Sequence, residues 1–352
     1  MATGKNKGSN GNAKGAAGNG SSKGNAGRDD AVASTEAQIK RVQAAQDASD
    51  RRTPPAAKKK KPGVQAGARL QPDRLPAQHL TKPGREADLQ LAPQFLAPDY
   101  RGSGKLDGFA TIVTGADSGI GRAVAVLFAR EGADVTVAYF DEHDDAAETK
   151  RCIEAEGRRC VLVAGDVKKP KFCARLVDKH IAEFGRLDVL VNNAAFQEHA
   201  QSIEDITDER FELTFRTNIF GYFQMARAAL PHLKQGGSII NTGSVTGLEG
   251  SARLLDYSST KGAIHAFTKS LAQNVMEQGI RVNAVAPGPV WTPLNPADSP
   301  ADKVAEFGAD VQMHRPAQPE ELSPAYVFLA SPVCSGYITG IVLPVTGSVG
   351  AI

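Results

Sequence analysis

The chain has few of the residues and segments that mark secreted, membrane or metal-binding proteins. Its 352 residues include only four cysteines, and no apolar run reaches the ~18 residues of a transmembrane helix. The N-terminus lacks the apolar stretch of a secretory signal. Neither CxxC pairs nor histidines at zinc-ligand spacing accompany the cysteines, which are Cys152, Cys160, Cys173 and Cys334. We therefore expect reduced thiols in a cytoplasmic protein without a metal site or a transmembrane segment.

The first quarter of the chain has no aromatic residues and has an excess of basic over acidic residues. No aromatic residue precedes Phe95, and residues 1–85 hold 17 Lys and Arg against 6 Asp and Glu, although the whole chain has a net charge of only +2. A segment rich in Gly, Ala and Lys cannot offset its ordering entropy by burial. We therefore predict a disordered basic tail over 1–85, with at most a transient helix over 31–50.

The predicted tail has two interpretations. Its basic runs are suited to contact nucleic acid or an anionic surface, but no aromatic residues are interleaved for base stacking. A solubilising tail without a fixed partner is the favoured interpretation. Removal of residues 1–85 is then expected to leave activity and melting temperature almost unchanged.

From Phe109 onward, short apolar runs alternate with helical stretches. The runs are continuous, as is typical of strands buried on both faces of a parallel sheet. The predicted strands are 109–114, 135–138, 160–164, 189–191, 238–241, 281–286 and 341–343. The predicted helices are 119–131, 144–157, 170–184, 217–234, 259–278 and 319–330.

This alternation predicts an α/β fold over 109–352. The expected architecture is a single Rossmann-type, doubly wound parallel sheet of about seven strands, with helices on both faces. Residues 86–108 are predicted to form an extended arm before it. The proline-rich, irregular segment 287–318 is predicted to be a substrate loop.

Three glycines follow the first predicted strand at the spacing GxxxGxG and open the first predicted helix. Glycines let the backbone turn tightly and approach a pyrophosphate, which then meets the free N–H groups at the start of the helix. This placement favours a dinucleotide-binding loop over a purely structural turn. The predicted cofactor contacts in the loop are Gly115, Asp117, Ser118, Gly119, Ile120 and Gly121.

The end of the second predicted strand bears on which dinucleotide fits. Residues 139–142 read YFDE, with no Arg or Lys to receive a 2′-phosphate, and Asp117 would repel one. Acidic residues here favour a ribose 2′-hydroxyl, so NAD is slightly preferred over NADP. The alternative is an exposed acidic turn that caps the next helix. Further predicted cofactor contacts are Tyr139, Asp166 and Val167, of which Asp166 either meets the adenine amino group or caps a helix.

A tyrosine and a lysine stand four residues apart at the head of a predicted helix. Positions i and i+4 share one helical face, so Tyr257 and Lys261 project together. The ammonium favours the phenolate and lowers a pKa that is ordinarily ~10, which makes Tyr257 a candidate proton donor and acceptor. The spacing alone is also consistent with an exposed surface pair.

Other residues follow the carboxyl ends of predicted strands, where open α/β sheets bind their ligands. Ser244 follows the strand at 238–241 and adds a hydroxyl to the tyrosine and lysine. The further predicted cofactor contacts from these turns are Asn193, Ala194, Ala195, Pro287, Gly288, Val290 and Thr292.

Together these motifs resemble the short-chain dehydrogenase/reductase family over residues 106–347. The resemblance rests on TGxxxGIG at 114–121, NNAA at 192–195, a lone Asn218, Ser244, YxxxK at 257–261 and PGxxxT at 287–292. The lead-in YRGSGKL and the run LLDYSSTKGAI resemble the branch of bacterial general-stress oxidoreductases and plant glucose/ribitol dehydrogenase homologues. Two departures are Ala195, where the family usually has glycine, and the sequence VTGS at 345–348, which lacks the usual double glycine.

The resemblance implies an oxidoreductase that uses NAD or NADP to interconvert an alcohol and a carbonyl, such as a small aldehyde, sugar or polyol. Tyr257 is then the catalytic acid/base, Lys261 lowers its pKa and holds the nicotinamide ribose, and Ser244 polarises the substrate. Asn218 is implied to hold a water that relays protons, and Thr292 to orient the carboxamide. A homo-oligomer, either a tetramer or a dimer, is also implied.

A second hypothesis is a dinucleotide-binding sensor, or a protein tethered by its tail, with little turnover. Family members that became sensors usually lose the tyrosine or the lysine. Both Tyr257 and Lys261 are present here, which favours an enzyme.

Overall fold

A computed structural model of the chain describes residues 23–52, 63–66, 71–72 and 74–350, with side chains from Ser34 onward. The parts of the predicted tail that lie outside the described residues are 1–22, 53–62, 67–70 and 73.

Seven parallel strands form one sheet in the order β3-β2-β1-β4-β5-β6-β7. Their bounds are β1 Ala110–Thr114, β2 Asp134–Tyr139, β3 Cys160–Ala164, β4 Leu187–Asn192, β5 Leu233–Thr242, β6 Arg281–Pro287 and β7 Val342–Val345. Every residue of β1, β2 and β6 is buried, which explains their continuous apolar sequences. The prediction of a doubly wound parallel sheet of about seven strands is confirmed.

Helices connect the strands and extend the chain at its N-terminal side. Their bounds are α1 Lys23–Asp50, α2 Gly119–Arg130, α3 His143–Ala155, α4 Pro170–Phe184, α5 Asp208–Phe215, α6 Gly221–Ala229, α7 Thr246–Glu249, α8 Leu255–Val275, α9 Leu294–Asp298, α10 Ala301–Val304, α11 Pro319–Ala330 and α12 Pro332–Ser335. A π-helical turn, Arg216–Phe220, joins α5 to α6. Single 3₁₀ turns lie at Glu86–Asp88, Ile203–Asp205, Leu230–His232 and Met276–Gln278.

Two hydrophobic cores cover the two faces of the sheet. One core contains residues of α2, α3 and α11, among them Val124, Ile153 and Leu322. The other contains residues of α4, α6 and α8, among them Leu176, Met225 and Ala272. The four cysteines are all free thiols. None of the helices in the described part of the chain is both long enough and apolar enough to cross a bilayer.

The segment 86–108 is fixed to the domain by hydrogen bonds. The indole of Trp291 donates to the carbonyl of Leu91 at 2.9 Å. The backbone N–H of Ala97 donates to Glu320 at 2.6 Å, and Arg130 donates to the Ala97 carbonyl at 2.7 Å. The arm therefore lies along α2 and α11 and leads the chain to the start of the sheet.

The segment before the arm differs from the prediction of a disordered tail through residue 85. Residues 74–85 lie on the domain, where the Leu80 N–H donates to the carbonyl of Pro296 at 2.9 Å. One face of α1 is also buried against the domain, with Thr35, Val42, Gln43, Gln46 and Ser49. Composition gave no signal of this packing because the buried side chains are small or polar and their partners lie far away in the sequence.

Candidate active site

A cavity of about 430 Å³ opens at the carboxyl edge of the sheet. Strand order reverses between β1 and β4, and open α/β sheets bind dinucleotides at such a switch point. The predicted site residues that line the cavity are Gly115, Asp117, Ser118, Gly119, Ile120, Tyr139, Asp166, Val167, Asn193, Ala194, Ala195, Ser244, Tyr257, Lys261, Pro287, Gly288, Val290 and Thr292. Two predicted site residues, Gly121 and Asn218, do not line it.

The three glycines of the first loop serve two different structural purposes. Gly115 and Gly119 have φ values of 60° and 52°, a conformation that L side chains rarely adopt. A Cβ at Gly121 would lie 1.9 Å from the carbonyl oxygen of Gly115. Gly121 therefore supports the loop from behind by close packing, while the other two glycines shape the cavity wall.

The start of α2 is held by a carboxylate from the arm. Glu86 accepts the Gly119 N–H at 2.7 Å and pairs with Arg122 at 2.6 Å, and both side chains are buried. Arg122 also donates to the carbonyl of Asp117 at 2.9 Å, so its guanidinium fixes the loop backbone. Burial raises the pKa of Glu86 to about 7 against the opposing attraction of Arg122. No local sequence pattern marks Glu86 for this role.

Acidic side chains gather at the cavity end that contains Tyr139. Asp117 and Glu142 line the cavity, and Asp141 is their neighbour. Burial raises the pKa of all three carboxyls. Nearby Glu36 and repulsion by Asp117 add to the rise at Asp141, whose pKa is about 6, and repulsion by Asp117 and Asp141 adds to the rise at Glu142, whose pKa is about 8. Lys168 also lines the cavity, with its ammonium 3.8 Å from Asp166.

Thr114 joins the two turns on either side of the switch point. Its hydroxyl accepts the N–H groups of Asn193 and Ala194 at 2.9 and 3.2 Å. The Asn193 amide donates to the Gly115 carbonyl at 3.0 Å. The turn after β4 therefore keeps its place in the cavity wall with Ala195 at the position where the family usually has glycine.

Tyr257 and Lys261 are buried on the first turns of α8 and face the cavity. The Lys261 ammonium donates to the carbonyl of Thr242 at 2.8 Å and lies 5.2 Å from the centroid of the Tyr257 ring. Ser244, which follows β5, forms a hydrogen bond with the Tyr257 hydroxyl. The fold thus brings three side chains from separate sequence motifs together, and the burial of Tyr257 and Lys261 excludes an exposed surface pair.

Burial dominates the protonation of these side chains. It raises the pKa of Tyr257 above its ordinary value, with the Ser244 hydrogen bond opposing the rise. It lowers the pKa of Lys261 to about 7. The net direction at Tyr257 is opposite to the lowering that the spacing of the two residues predicted. At neutral pH the phenol keeps its proton and Lys261 is only partly charged.

Asn218 lies in the π-helical turn behind the Tyr257–Lys261 pair. Its amide accepts the Phe196 N–H at 2.8 Å and donates to the Phe196 carbonyl at 2.9 Å and to the Thr260 hydroxyl at 3.0 Å. π-Helical turns often mark functional sites because they redirect one side chain out of the regular helical pattern. Asn218 here joins the turn after β4 to α8, and its role in a proton relay stays a prediction.

The C-terminal turn contacts the predicted substrate loop 287–318. The Gly288 N–H donates to the carbonyl of Val345 at 2.9 Å, and a Cβ at Gly288 would lie 2.6 Å from the carbonyl oxygen of Thr346. The Met313 N–H donates to the carbonyl of Gly347 at 3.0 Å. The turn at 345–348 therefore packs on both ends of the loop without a double glycine.

Several cavity-lining residues were missed by the sequence analysis. Apolar side chains give part of the wall a character suited to a small organic substrate, and they are Phe196, Leu213, Leu254 and Phe307. Thr35 and Ile39 of α1 line the cavity as well, although α1 was assigned to the tail. The buried face of α1 mixes small and polar side chains with Ile39 and Val42, so no apolar periodicity in the sequence marked it.

A buried charged cluster lies beside α9. Ligand atoms of Glu198, His199 and Asp298 lie within 4.8 Å of one another, which is compatible with a cation site. Both ring nitrogens of His199 already meet carboxylates, Asp298 at 2.9 Å and Asp50 at 2.6 Å, and the Lys82 ammonium lies 3.1 Å from Glu198. Burial favours neutral His199, but these two carboxylates outweigh it and raise the pKa to about 9. The cluster is therefore a network of ion pairs, without a free imidazole nitrogen for a metal.

Known proteins resemble the chain over most of its length. A family profile described as enoyl-(acyl carrier protein) reductase matches residues 115–349. General stress protein 39 of Bacillus subtilis is 50% identical over 277 residues, 78% of this chain and 96% of that protein. NADPH-dependent aldehyde reductase 1, chloroplastic, of Arabidopsis thaliana is 49% identical over 272 residues, 76% of this chain and 94% of that protein. Glucose and ribitol dehydrogenase of Daucus carota is 46% identical over 279 residues, 77% of this chain and 95% of that protein.

Solved structures share the fold. A short chain dehydrogenase from Burkholderia cenocepacia in complex with NADP has a TM-score of 0.65 and 32% identity, and covers 69% of this chain and 98% of its own. A short chain dehydrogenase from Mycobacterium paratuberculosis bound to NAD has a TM-score of 0.63 and 31% identity, with the same coverage of 69% and 98%. These matches confirm the family and the branch that the motifs resemble. The chain belongs to the short-chain dehydrogenase/reductase family.

Proposed function

We propose that the chain is an oxidoreductase that uses NAD or NADP to interconvert an alcohol and a carbonyl on a small aldehyde, sugar or polyol. The observation that carries this proposal is the meeting of Tyr257, Lys261 and Ser244 in the cavity that the glycine loop also lines. Two relatives, named as an aldehyde reductase and as a glucose and ribitol dehydrogenase, support the substrate class.

The cavity suits a dinucleotide in volume and in chemistry. Its volume of about 430 Å³ lies within the ordinary range of small-molecule sites. A Cβ at Gly115 would lie 2.9 Å from the Cα of Ala194, and one at Gly119 would lie 2.9 Å from the Cγ2 of Thr292, so the two glycines let the loop pack closely against these turns. The N-terminus of α2 supplies N–H groups for phosphates. When bound, the nicotinamide would supply or accept the hydride. The residues proposed to hold the dinucleotide are those of the glycine loop together with Asn193, Ala194, Ala195, Val290, Thr292 and Lys261.

The side chains of the protein supply orientation and proton transfer. We assign to the Ser244 hydroxyl a hydrogen bond to the substrate oxygen, and to Tyr257 the transfer of a proton to or from that oxygen. Because burial keeps the phenol protonated at neutral pH, Tyr257 is in the state required to give up its proton in carbonyl reduction, and we expect reduction to be fast near pH 7. Alcohol oxidation requires the phenolate and becomes faster as the pH rises.

NAD is the proposed preference, because Asp117 and Glu142 in the cavity wall would repel a 2′-phosphate. Lys168 could offset this repulsion, but its ammonium pairs with Asp166 at 3.8 Å. The NADPH-dependent relative from Arabidopsis thaliana argues for the other dinucleotide. A direct comparison of the two is therefore part of the test.

The preference for NADH over NADPH is expected to increase with pH. The raised pKa values, about 6 for Asp141 and about 8 for Glu142, leave these carboxyls neutral in acid and ionise them as the pH rises. Titration calorimetry measures the dissociation constant of NADPH divided by that of NADH. Between pH 6 and 9 this ratio should grow about tenfold, which corresponds to a repulsion between the carboxylates and the 2′-phosphate of about one pKa unit. Glu142→Gln should flatten this rise. Asp144→Asn, which changes an exposed acid in the first turn of α3, should retain it, and a ratio independent of pH in the wild type would contradict the role given to the acids.

A substrate screen tests the proposed activity. Purified protein is mixed with small aldehydes, sugars and polyols, with NADH, NADPH and their oxidised forms side by side, and the absorbance of the reduced nicotinamide is followed. We expect turnover with at least one aldehyde or polyol. Binding of dinucleotide without turnover of any of these compounds would instead support the sensor hypothesis.

The implied homo-oligomer is supported by aromatic side chains on the surface. The exposed large hydrophobic residues are Phe211 on α5, Phe220 at the end of the π-helical turn and Phe223 on α6. A second copy of this chain is the proposed partner. Light scattering on the purified protein should give the mass of a dimer or a tetramer. A monomer mass at micromolar concentration would oppose this assignment.

A further inference from the structure

Helix α1 presents one continuous face to the domain. Exposed residues such as Lys40 and Ala44 lie on the other side. Buried or half-buried residues recur at the spacing of one helical face, with Thr35, Ile39, Val42, Gln46 and Ser49. The helix is therefore packed along the domain on that face.

The first turns of this face belong to the cavity wall. Thr35 and Ile39 line the same cavity as the glycine loop, and the Thr35 hydroxyl donates to Asp166 at 3.2 Å. Asp166 is a predicted cofactor contact, for which a bond to the adenine amino group is one of two interpretations and helix capping is the other. Glu36 lies close enough to Asp141 to raise the pKa of that carboxyl, at the edge where the ribose is expected. The helix thus reaches the end of the cavity assigned to adenosine.

The middle of the helix is fixed by apolar packing and by one amide. Val42 packs with Phe196 and Leu213, both of which line the cavity. The Gln43 amide donates to the carbonyl of Ala297 in α9 at 3.2 Å. These contacts tie α1 to the turn after β4 and to the predicted substrate loop.

The last turn of α1 is held by charge. Asp50 lies 2.6 Å from one ring nitrogen of His199, and the other ring nitrogen lies 2.9 Å from Asp298 in α9. These side chains are little exposed to solvent, so the interactions are weakly screened. The helix is therefore anchored at its middle and at its end, with Thr35 and Ile39 held over the cavity.

From these contacts we infer that α1 is part of the dinucleotide site and encloses its adenosine half through Thr35 and Ile39. The inference rests on the proposed function, because it takes the cavity to bind a dinucleotide. The helix forms part of the wall of the cavity at the end assigned to adenosine. Its anchored position then slows release and strengthens the binding of every ligand that contains the adenosine half.

The variant Val42→Asp tests this inference in the full-length chain, because it places a charge against Phe196 and Leu213 and detaches α1. Ala44→Asp is the matched control, with the same charge on the exposed face of the same helix. Titration calorimetry measures the dissociation constants of NADH and ADP-ribose, two ligands that share the adenosine half. We expect Val42→Asp to weaken the binding of both ligands about tenfold. A loss of this size corresponds to α1 being packed on the domain in only about a tenth of the molecules. Ala44→Asp should match the wild type, and stopped-flow release of NADH should be faster only in Val42→Asp.

Ile39→Ala is a second variant that keeps the anchors of the helix and shortens only a half-buried side chain. It should weaken the binding of both ligands about threefold. Circular dichroism should give the wild-type spectrum and melting temperature. Unchanged affinities in both variants, a loss confined to NADH, or tighter binding would each overturn the inference and leave the proposed function intact. A wild-type protein that binds neither NADH nor NADPH would instead refute the proposed function, and this inference with it.

Discussion

Replacing Tyr257 with phenylalanine is expected to lower kcat for carbonyl reduction by about 10²- to 10⁴-fold, the ordinary contribution of general acid catalysis. The substitution removes one hydroxyl from a buried ring, and with it the proton donor and the hydrogen bond to Ser244. Dinucleotide affinity should change by less than about twofold, because the glycine loop and the other lining residues are unaltered. Steady-state kinetics and calorimetric titration with NADH measure the two effects separately.

Tyr337→Phe is the matched control, because Tyr337 is fully exposed and loses the same single atom. It should keep the kcat of the wild type. The residual rate of Tyr257→Phe in alcohol oxidation should also lose the increase with pH that ionisation of the phenol gives the wild type. Wild-type rates in Tyr257→Phe would refute the acid/base assignment and leave the fold and the family unaffected.

The sheet and most of the cavity lining could be predicted from the sequence because both depend on local patterns. The strand at 160–164 was predicted with the bounds that β3 has, since its apolar run is continuous and lies between Arg159 and Gly165. Tyr257 and Lys261 meet because an interval of four residues returns to the same helical face. The predicted cofactor contacts follow strand ends, which parallel topology places at one edge, and all of them except Gly121 line the cavity.

The features that the sequence did not reveal depend on long-range contacts and on depth of burial. Glu86 supports the glycine loop through a bond to Gly119, and no local pattern marks that pair. The packing of α1 uses Thr35, Val42 and Gln43, side chains that composition assigns to a solvated tail. The direction of the pKa shift at Tyr257 depends on burial, which the spacing to its lysine does not report. These contacts also change one expectation, because removal of residues 1–85 now should weaken dinucleotide binding.

The second large expected effect is a loss of folding stability when the ion pair between Arg210 and Asp256 is broken. Asp256 stands immediately before Tyr257 in the sequence. Two hydrogen bonds of 3.1 and 3.0 Å join the guanidinium to the carboxylate, and the two side chains are 4% and 0% exposed. Arg210 also donates to the carbonyl of His199 at 2.9 Å, and the Thr214 hydroxyl donates to Asp256 at 2.8 Å. The pair therefore connects α5, the turn after β4 and the first turn of α8.

Arg210→Met should lower the free energy of unfolding by about 3–5 kcal/mol, because it leaves Asp256 buried without its counter-charge. Urea denaturation measures this loss as a lower midpoint at an unchanged slope. Arg216→Met is the control: Arg216 pairs with Glu212 on the surface, where the two side chains are 52% and 60% exposed, so the cost should stay below about 1 kcal/mol. The double variant Arg210→Met/Asp256→Leu removes both charges and should recover much of the loss. A cost for Arg210→Met no larger than that of Arg216→Met would show that the pair does not hold the start of α8 in place.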